Sequence, residues 1–236
     1  MPTTHTAFVT GATEGIGRAI AFALGRAGYR VGVCARTAPR VEALVRELAE
    51  QGIHAAGRAA NVADPGEVAA CLELVTTALG PVDTLINNAG IAILKPFEEL
   101  TLDEWDATMA TNVRSMFVVT RAVLPGMRQA RRGAIVNIAS LAGRNGFAGG
   151  TAYTASKHAV LGFSKSLMAE VRKDNIRVIA ICPGTVDTSL IRNQGMLKPN
   201  LATSLQPEDV AQVVLDTLAL PERAMVSELD IRPTNP

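Results

Sequence analysis

Seven short apolar runs alternate with longer helical patterns along this chain, and that alternation leaves few folds open to it. The runs fall at residues 7–10, 30–35, 53–62, 82–86, 134–138, 177–182 and 227–231. Most are rich in Val and Ile, and several are apolar almost throughout, as strands covered on both faces are. Helical windows lie between them at 15–27, 39–51, 65–79, 102–129, 152–174 and 207–220. Strand–helix–strand alternation predicts an α/β fold, a parallel sheet with helices on both faces. Thr101 with Glu104 reads as a capping box opening the 102–129 window, and Pro125 inside that window is expected to end or kink the helix. No repeat, low-complexity tract or linker divides the 236 residues, so residues 1–236 are expected to form one domain.

Charge and cysteine content exclude several classes of function. The chain carries 23 Lys and Arg against 22 Asp and Glu, a net charge of +1, which supplies no electrostatic footprint for nucleic acid. No apolar run approaches the roughly 20 residues needed to span a bilayer. The opening Met1-Pro2-Thr3-Thr4-His5-Thr6 has neither a basic segment nor a long apolar one. A soluble, cytoplasmic protein is expected, with neither a membrane nor a nucleic acid as partner. Cys34, Cys71 and Cys182 lie far apart and make an odd count, so neither a disulfide framework nor a cysteine-based zinc site is suggested. His5, His54 and His158 match no ligand spacing, and no metal is expected.

The first run leads straight into Thr10-Gly11-Ala12-Thr13-Glu14-Gly15-Ile16-Gly17, followed by a helical window. Glycines at 11, 15 and 17 are spaced as a relative of the dinucleotide fingerprint. One glycine serves the tight turn, another lets the backbone approach a pyrophosphate, and a third lets helix and strand pack closely. Amides at the helix start then face the anion. The second run ends Val33-Cys34-Ala35-Arg36-Thr37, with no acid before Glu42. An acid near this point would bind a ribose 2′-hydroxyl, whereas an Arg accommodates a 2′-phosphate. Arg36 therefore favours NADP(H) over NAD(H), although Glu14 adds a negative charge to the same loop.

Only two tyrosines occur, Tyr29 and Tyr153. The second stands in Tyr153-Thr154-Ala155-Ser156-Lys157, with a phenol and an ammonium at i and i+4 on one helical face. A free phenol has a pKa of about 10, and a nearby cation, aided by the charge of a bound nicotinamide, favours the phenolate and is expected to lower it. Such a group can hand a proton to a carbonyl oxygen while hydride reaches the carbon. Ser140 ends the 134–138 run thirteen residues earlier, and in parallel sheets ligands gather at the carboxyl ends of strands.

Taken together, these segments resemble the short-chain dehydrogenase/reductase family, in its compact single-domain branch. The resemblance covers essentially the whole chain and rests on Thr10-Gly11 with Gly15-Ile16-Gly17, Asn61-Val62, Asn87-Asn88-Ala89-Gly90, Asn112, Ser140, Tyr153, Lys157, Pro183-Gly184 and Thr188. It implies a Rossmann-type, doubly wound sheet of about seven parallel strands. It also implies that Tyr153 is the general acid/base and that Lys157 holds the nicotinamide ribose and depresses the tyrosine pKa. By the same likeness Ser140 hydrogen-bonds the substrate oxygen, and Asn112 positions a water linked to Lys157. Gly11, Thr13, Glu14, Gly15, Ile16 and Gly17 would cradle the cofactor, Asn61 and Val62 would meet its adenine, and Asn88, Ala89 and Gly90 would line its ribose. Pro183, Gly184, Val186 and Thr188 would contact its pyrophosphate and carboxamide. A homotetramer or homodimer formed through the long helices near 102–129 and 152–174 and the last helix and strand is implied as well.

Substrate choice is expected in segments 141–152 and 186–205. Arg144 and Phe147 are the distinctive side chains of the first, while Leu190, Ile191, Met196 and Leu197 of the second could form an apolar lid. The expected activity is NADPH-dependent reduction of a ketone or aldehyde, with a 3-oxoacyl thioester as one candidate. NAD-linked oxidation of a secondary alcohol or sugar is the alternative among enzymes, and an idle nucleotide-binding or scaffold subunit the alternative outside them. Arg128, Arg131 and Arg132, with Arg172 and Lys173, read either as helix ends favoured by the macrodipole or as a docking patch for an acyl carrier protein.

Overall fold

The computed structural model describes residues 5–193 and 200–234. Its first half contains β1 (Thr6–Thr10), α1 (Gly15–Arg26), β2 (Arg30–Ala35), α2 (Ala38–Glu50), β3 (Ala55–Ala59), α3 (Pro65–Leu79) and β4 (Thr84–Asn87). Next come α4 (Leu102–Met109), α5 (Ser115–Ala130), β5 (Gly133–Ile138), α6 (Thr151–Val171) and β6 (Ile176–Pro183). The short α7 (Ser189–Arg192), then α8 (Pro207–Leu218) and β7 (Glu228–Ile231), complete the order. The strands form one sheet in the order β3-β2-β1-β4-β5-β6-β7, with every neighbouring pair parallel. The sheet winds outward in both directions from β1 and β4, and the crevice above their carboxyl ends is where such sheets bind ligands.

Covering on both faces explains the apolar runs. Along β1, Ala7 and Val9 join the cluster under α1, α2 and α8, while Phe8 joins the opposite cluster under α3, α5 and α6. In β6, Ile179 and Ile181 face the first layer, and Ile176 and Val178 face the second. Successive side chains of a strand point to opposite faces, so a strand buried on both sides needs apolar residues at every position.

The ends of β4 and β5 are held by buried amides. Asn87 donates through Nδ2 to Asn137 Oδ1 at 2.8 Å and to Thr120 Oγ1 at 3.1 Å, and Asn137 donates to Ser164 Oγ at 2.8 Å. Asn137 is fully buried, so these bonds are obligatory, and they tie two central strands to α5 and α6 beside the crevice.

Three sequence expectations are corrected. The run at 53–62 contributes only five residues of strand, because β3 lies at the sheet edge and is mostly half-buried. The single window at 102–129 is interrupted: α4 and α5 are joined by a π-helical turn over Ala110–Arg114. Pro125 does not end α5, which continues to Ala130. Pro125 is exposed, so water can take the carbonyl that its ring leaves without an intrahelical donor. Both elements of the Thr101–Glu104 capping box are present, with Glu104 N donating to Thr101 Oγ1 at 3.2 Å and Thr101 N to Glu104 Oε2 at 3.0 Å. No helix among the described residues is long and apolar enough to cross a membrane.

Candidate active site

A cleft of about 450 Å³ opens over the carboxyl ends of the central strands. One end is built by the turn between β1 and α1. Gly11 and Gly15 have φ of +63° and +53°, the left-handed region that a side chain disfavours. A Cβ on Gly11 would come within 2.8 Å of Ala89 Cα, and one on Gly17 within 2.3 Å of the Gly11 carbonyl oxygen. Thr13, Glu14, Gly15 and Ile16 line the cleft with Gly11, whereas Gly17 is buried behind them. Gly17 is thus a packing glycine behind the cleft lining. Gly17→Ala is expected to cost about 1–3 kcal/mol, the usual range for overpacking, because the obstacle is backbone. Chemical denaturation would register this as a lower midpoint with an unchanged slope.

Asn88 locks this turn to the next. Its Nδ2 donates to the carbonyls of Thr10 at 3.0 Å and Gly11 at 3.1 Å, and Thr10 Oγ1 accepts from the amides of Asn88 and Ala89. Asn88, Ala89 and Gly90 form the middle of the cleft wall. Asn61 and Val62 line it beyond β3, as do Arg36, Thr37 and Arg40 beyond β2. Pro183, Gly184, Val186 and Thr188 line the opposite wall. Gly184 N donates to Ile231 O at 2.8 Å, and Val186 bridges Leu205, which fixes that wall to β7 and to the residues before α8.

At the other end Ser140, Tyr153 and Lys157 face the same space. The Ser140 Oγ accepts from Ala142 N at 3.1 Å and hydrogen-bonds the Tyr153 phenol. Lys157 Nζ donates to the Ile138 carbonyl at 2.9 Å and lies 5.7 Å from the centroid of the Tyr153 ring. In the protein alone, Lys157 does not lower the phenol pKa. Burial pushes the phenol up, with the Ser140 hydrogen bond as the smaller opposing influence. The ammonium sits over the ring, bound to a carbonyl, and burial lowers its own pKa to about 8.

Asn112 does not line the cleft. It sits in the π-helical turn, where its Oδ1 accepts from Ile91 N at 2.8 Å and its Nδ2 donates to Ile91 O and to Ser156 Oγ, both at 2.9 Å. Ser156 in turn donates to the Tyr153 carbonyl at 2.7 Å. Asn112 therefore braces the cleft-lining Ile91 and the helical turn carrying Tyr153. Its side-chain amide is committed to these partners, beside the Gly90 backbone that Lys157 Nζ also approaches. π-Bulges concentrate at functional sites because one extra residue re-aims a side chain, but they leave no periodic signature in sequence.

The substrate segments are only partly as expected. Leu190 and Ile191 line the cleft, and Met196 and Leu197 lie outside the described residues. Arg144 and Phe147 do not line it. Arg144 instead pairs with Glu228 at 2.8 Å and Asp230 at 2.6 Å, and the Phe147 ring covers Gly150. Among the lining residues that sequence reading missed are Ile91, Arg40 and a face made by Ala107, Ala110 and Thr111. For that face the i, i+3, i+4 spacing in front of Asn112 was the available signal.

The cleft fits a nicotinamide dinucleotide on its own geometry. The glycine turn is a cradle that a single Cβ would obstruct, basic side chains stand beyond β2, and a phenol and an amine stand at the far end. Comparison with known proteins agrees. The sequence matches the short chain dehydrogenase family over residues 5–198. It is 43% identical over 190 residues, 80% of this chain and 73% of the relative, to a Streptomyces virginiae protein named as the ketoacyl reductase of the monensin polyketide synthase. It is 35% identical over 222 residues, 91% of this chain and 90% of the relative, to the 3-oxoacyl-acyl-carrier-protein reductase of Staphylococcus aureus. Among solved structures, an actinorhodin polyketide ketoreductase variant crystallised with NADPH superimposes with a TM-score of 0.91 at 35% identity, covering 99% of this chain and 98% of that one.

Proposed function

This chain belongs to the short chain dehydrogenase family of oxidoreductases, and from that premise we propose that it reduces a ketone or aldehyde with NADPH, with a 3-oxoacyl thioester as the leading substrate class. The observation that carries the reading is Tyr153, whose phenol is hydrogen-bonded by Ser140 and has Lys157 one helical turn away, facing the cleft that the glycine turn opens. When bound, NADPH supplies the hydride. Gly11, Thr13, Gly15 and Ile16 receive its pyrophosphate, Asn61 and Val62 its adenine, and Arg36 its 2′-phosphate. Asn88, Ala89, Gly90, Pro183, Gly184, Val186 and Thr188 confine the rest of the dinucleotide. Ser140 orients the substrate oxygen. Tyr153 passes its phenolic proton to that oxygen as the carbon accepts hydride, so that C=O becomes CH–OH and the proton is lost by the phenol. Lys157 then faces the phenolate as a counter-cation and holds the ribose hydroxyls.

Several features support the acyl reading. Ile91, Ala107, Ala110, Leu190 and Ile191 give the substrate end an apolar lining suited to an acyl chain rather than a sugar. The two curated relatives are named for ketoacyl and 3-oxoacyl reduction. A carrier-protein docking role is narrowed, because Arg128 and Arg131 pair with Asp174 at 3.2 and 3.6 Å and Arg132 pairs with Asp83 at 3.3 Å. Arg172 and Lys173 are the members of that group left for an acidic partner. Association into a homo-oligomer would cover Leu102 and Phe117, exposed on α4 and α5.

A spectrophotometric screen tests the proposal. Purified protein with 3-oxoacyl thioesters and simple ketones is expected to oxidise NADPH, and to use NADH at least about tenfold less efficiently. NADPH binding without turnover of any carbonyl would instead favour an idle nucleotide-binding subunit, and a preference for NAD⁺ with secondary alcohols would favour the dehydrogenase reading.

A further inference from the structure

The end of the cleft beyond β2 holds a charge arrangement that the reading above does not use. Glu14, Arg36, Thr37 and Arg40 all line it. Arg40 Nη1 lies 3.5 Å from Glu14 Oε2, and both side chains are more than half exposed, at 62% and 57%. Arg36 forms no ion pair with any described residue. Two guanidiniums and one carboxylate thus share a single wall, and the carboxylate comes from the glycine turn itself.

We propose that Arg40 is a second ligand of the cofactor's 2′-phosphate and that Glu14, by competing for Arg40, sets how strongly this chain prefers NADPH to NADH. The inference rests on the NADPH reading and deepens it. A terminal phosphate carries between one and two negative charges at neutral pH and offers several acceptor oxygens, enough for two guanidiniums. Guanidinium is suited to that task because its planar donors meet phosphate oxygens in pairs. The Glu14–Arg40 contact is too exposed and too long to hold Arg40 against a dianion, since exposed pairs are weak. Instead it parks the Arg40 side chain against the glycine turn. NADH leaves that pair intact. NADPH draws Arg40 away and leaves Glu14 unpaired, so the carboxylate reduces a preference that the two arginines create. Glu14 also lies near the site of the pyrophosphate, which both cofactors share. That contribution raises or lowers both affinities together and cancels from their ratio.

The test is a double-mutant cycle read by binding, not turnover. NADPH and NADH are titrated by nicotinamide fluorescence, and 2′,5′-ADP and 5′-AMP by calorimetry. Arg40→Ala is expected to weaken NADPH and 2′,5′-ADP about tenfold, the scale of a charged hydrogen bond, while NADH and 5′-AMP move less than about twofold. Glu14→Gln is expected to raise the NADPH-to-NADH affinity ratio about threefold in wild type and to leave it unchanged in the Arg40→Ala background. Equal losses for both cofactors in Arg40→Ala would overturn the inference. So would a Glu14→Gln effect on the ratio of the same size with and without Arg40. A wild-type protein that binds 2′,5′-ADP no tighter than 5′-AMP would overturn the NADPH reading and this inference together. A wild-type preference that Arg40→Ala leaves undiminished would overturn this inference alone, since Arg36 by itself keeps only part of it.

Discussion

Tyr153→Phe is expected to lower kcat for carbonyl reduction by about 10²–10⁴-fold, the usual contribution of a positioned proton donor. The same change should leave the NADPH dissociation constant within about twofold. The substitution removes one oxygen and keeps the ring, so the packing of α6 against the cleft is retained. What is lost is the proton that must reach the carbonyl oxygen as hydride arrives. Burial holds the phenol above its ordinary value, so it remains protonated across the neutral range and ready to donate. Because the phenol titrates above neutrality, the rate of reduction should show no loss from its ionisation between about pH 6 and 8. Stopped-flow absorbance at the nicotinamide band separates the two readouts, since binding perturbs the spectrum and turnover bleaches it. Retention of more than about a tenth of wild-type kcat by the Phe variant would mean that another group or water supplies the proton, and the acid assignment would fail.

The parts of this site that could be read from sequence are those that depend on neighbours in the chain. Gly11, Gly15 and Gly17 could be read because a strand-to-helix turn around an anion needs glycine at short, fixed separations. Tyr153 and Lys157 could be read because a helix brings i and i+4 together. The sheet itself was legible because burial on both faces imposes unbroken apolar stretches on its central strands, Ala7–Val9 in β1 and Val178–Cys182 in β6. What escaped depends on contacts distant in sequence or on departures from regular geometry. Arg144 stands in a segment expected to choose substrate, yet its partners Glu228 and Asp230 lie on the last strand, 84 and 86 residues away. The π-helical turn that aims Asn112 inward has no pattern of its own. The raised pKa of the phenol in the protein alone escaped because the sequence shows the adjacent amine but not the burial that outweighs it. Arg40 has no mark at all in sequence, being one of many exposed arginines, and only its place on the cleft wall beside Glu14 distinguishes it.

Lys157→Met should abolish activity and at the same time make the cofactor-free protein more stable. The ammonium is almost fully buried, at 5% exposure, and burial brings its pKa from an ordinary 10.5 to about 8. At about 1.36 kcal/mol per pH unit, that difference corresponds to roughly 3 kcal/mol of unfavourable free energy for keeping the charge in the folded state. Below about pH 8 both folded and unfolded chains hold the proton, so the penalty is present in full at neutral pH. Between about 8 and 10.5 the unfolded chain binds more protons than the folded one, so wild-type stability rises with pH through this window. Met is similar in length, uncharged and tolerant of irregular space, but it leaves the Ile138 carbonyl without its donor, a loss of about 1 kcal/mol or more. The net expectation is a gain of about 1–2 kcal/mol at pH 7, and a Tm higher by a few degrees for a chain of this size. That gain should shrink steadily as pH is raised toward 10. Turnover should fall by about 10²-fold or more, because the variant has no cation facing the phenolate formed as the proton leaves. A destabilised variant at pH 7, or one whose stability runs parallel to wild type from pH 7 to 10, would show that the buried amine carries no penalty. The cation would then be no costly functional feature of the fold but an ordinary structural one.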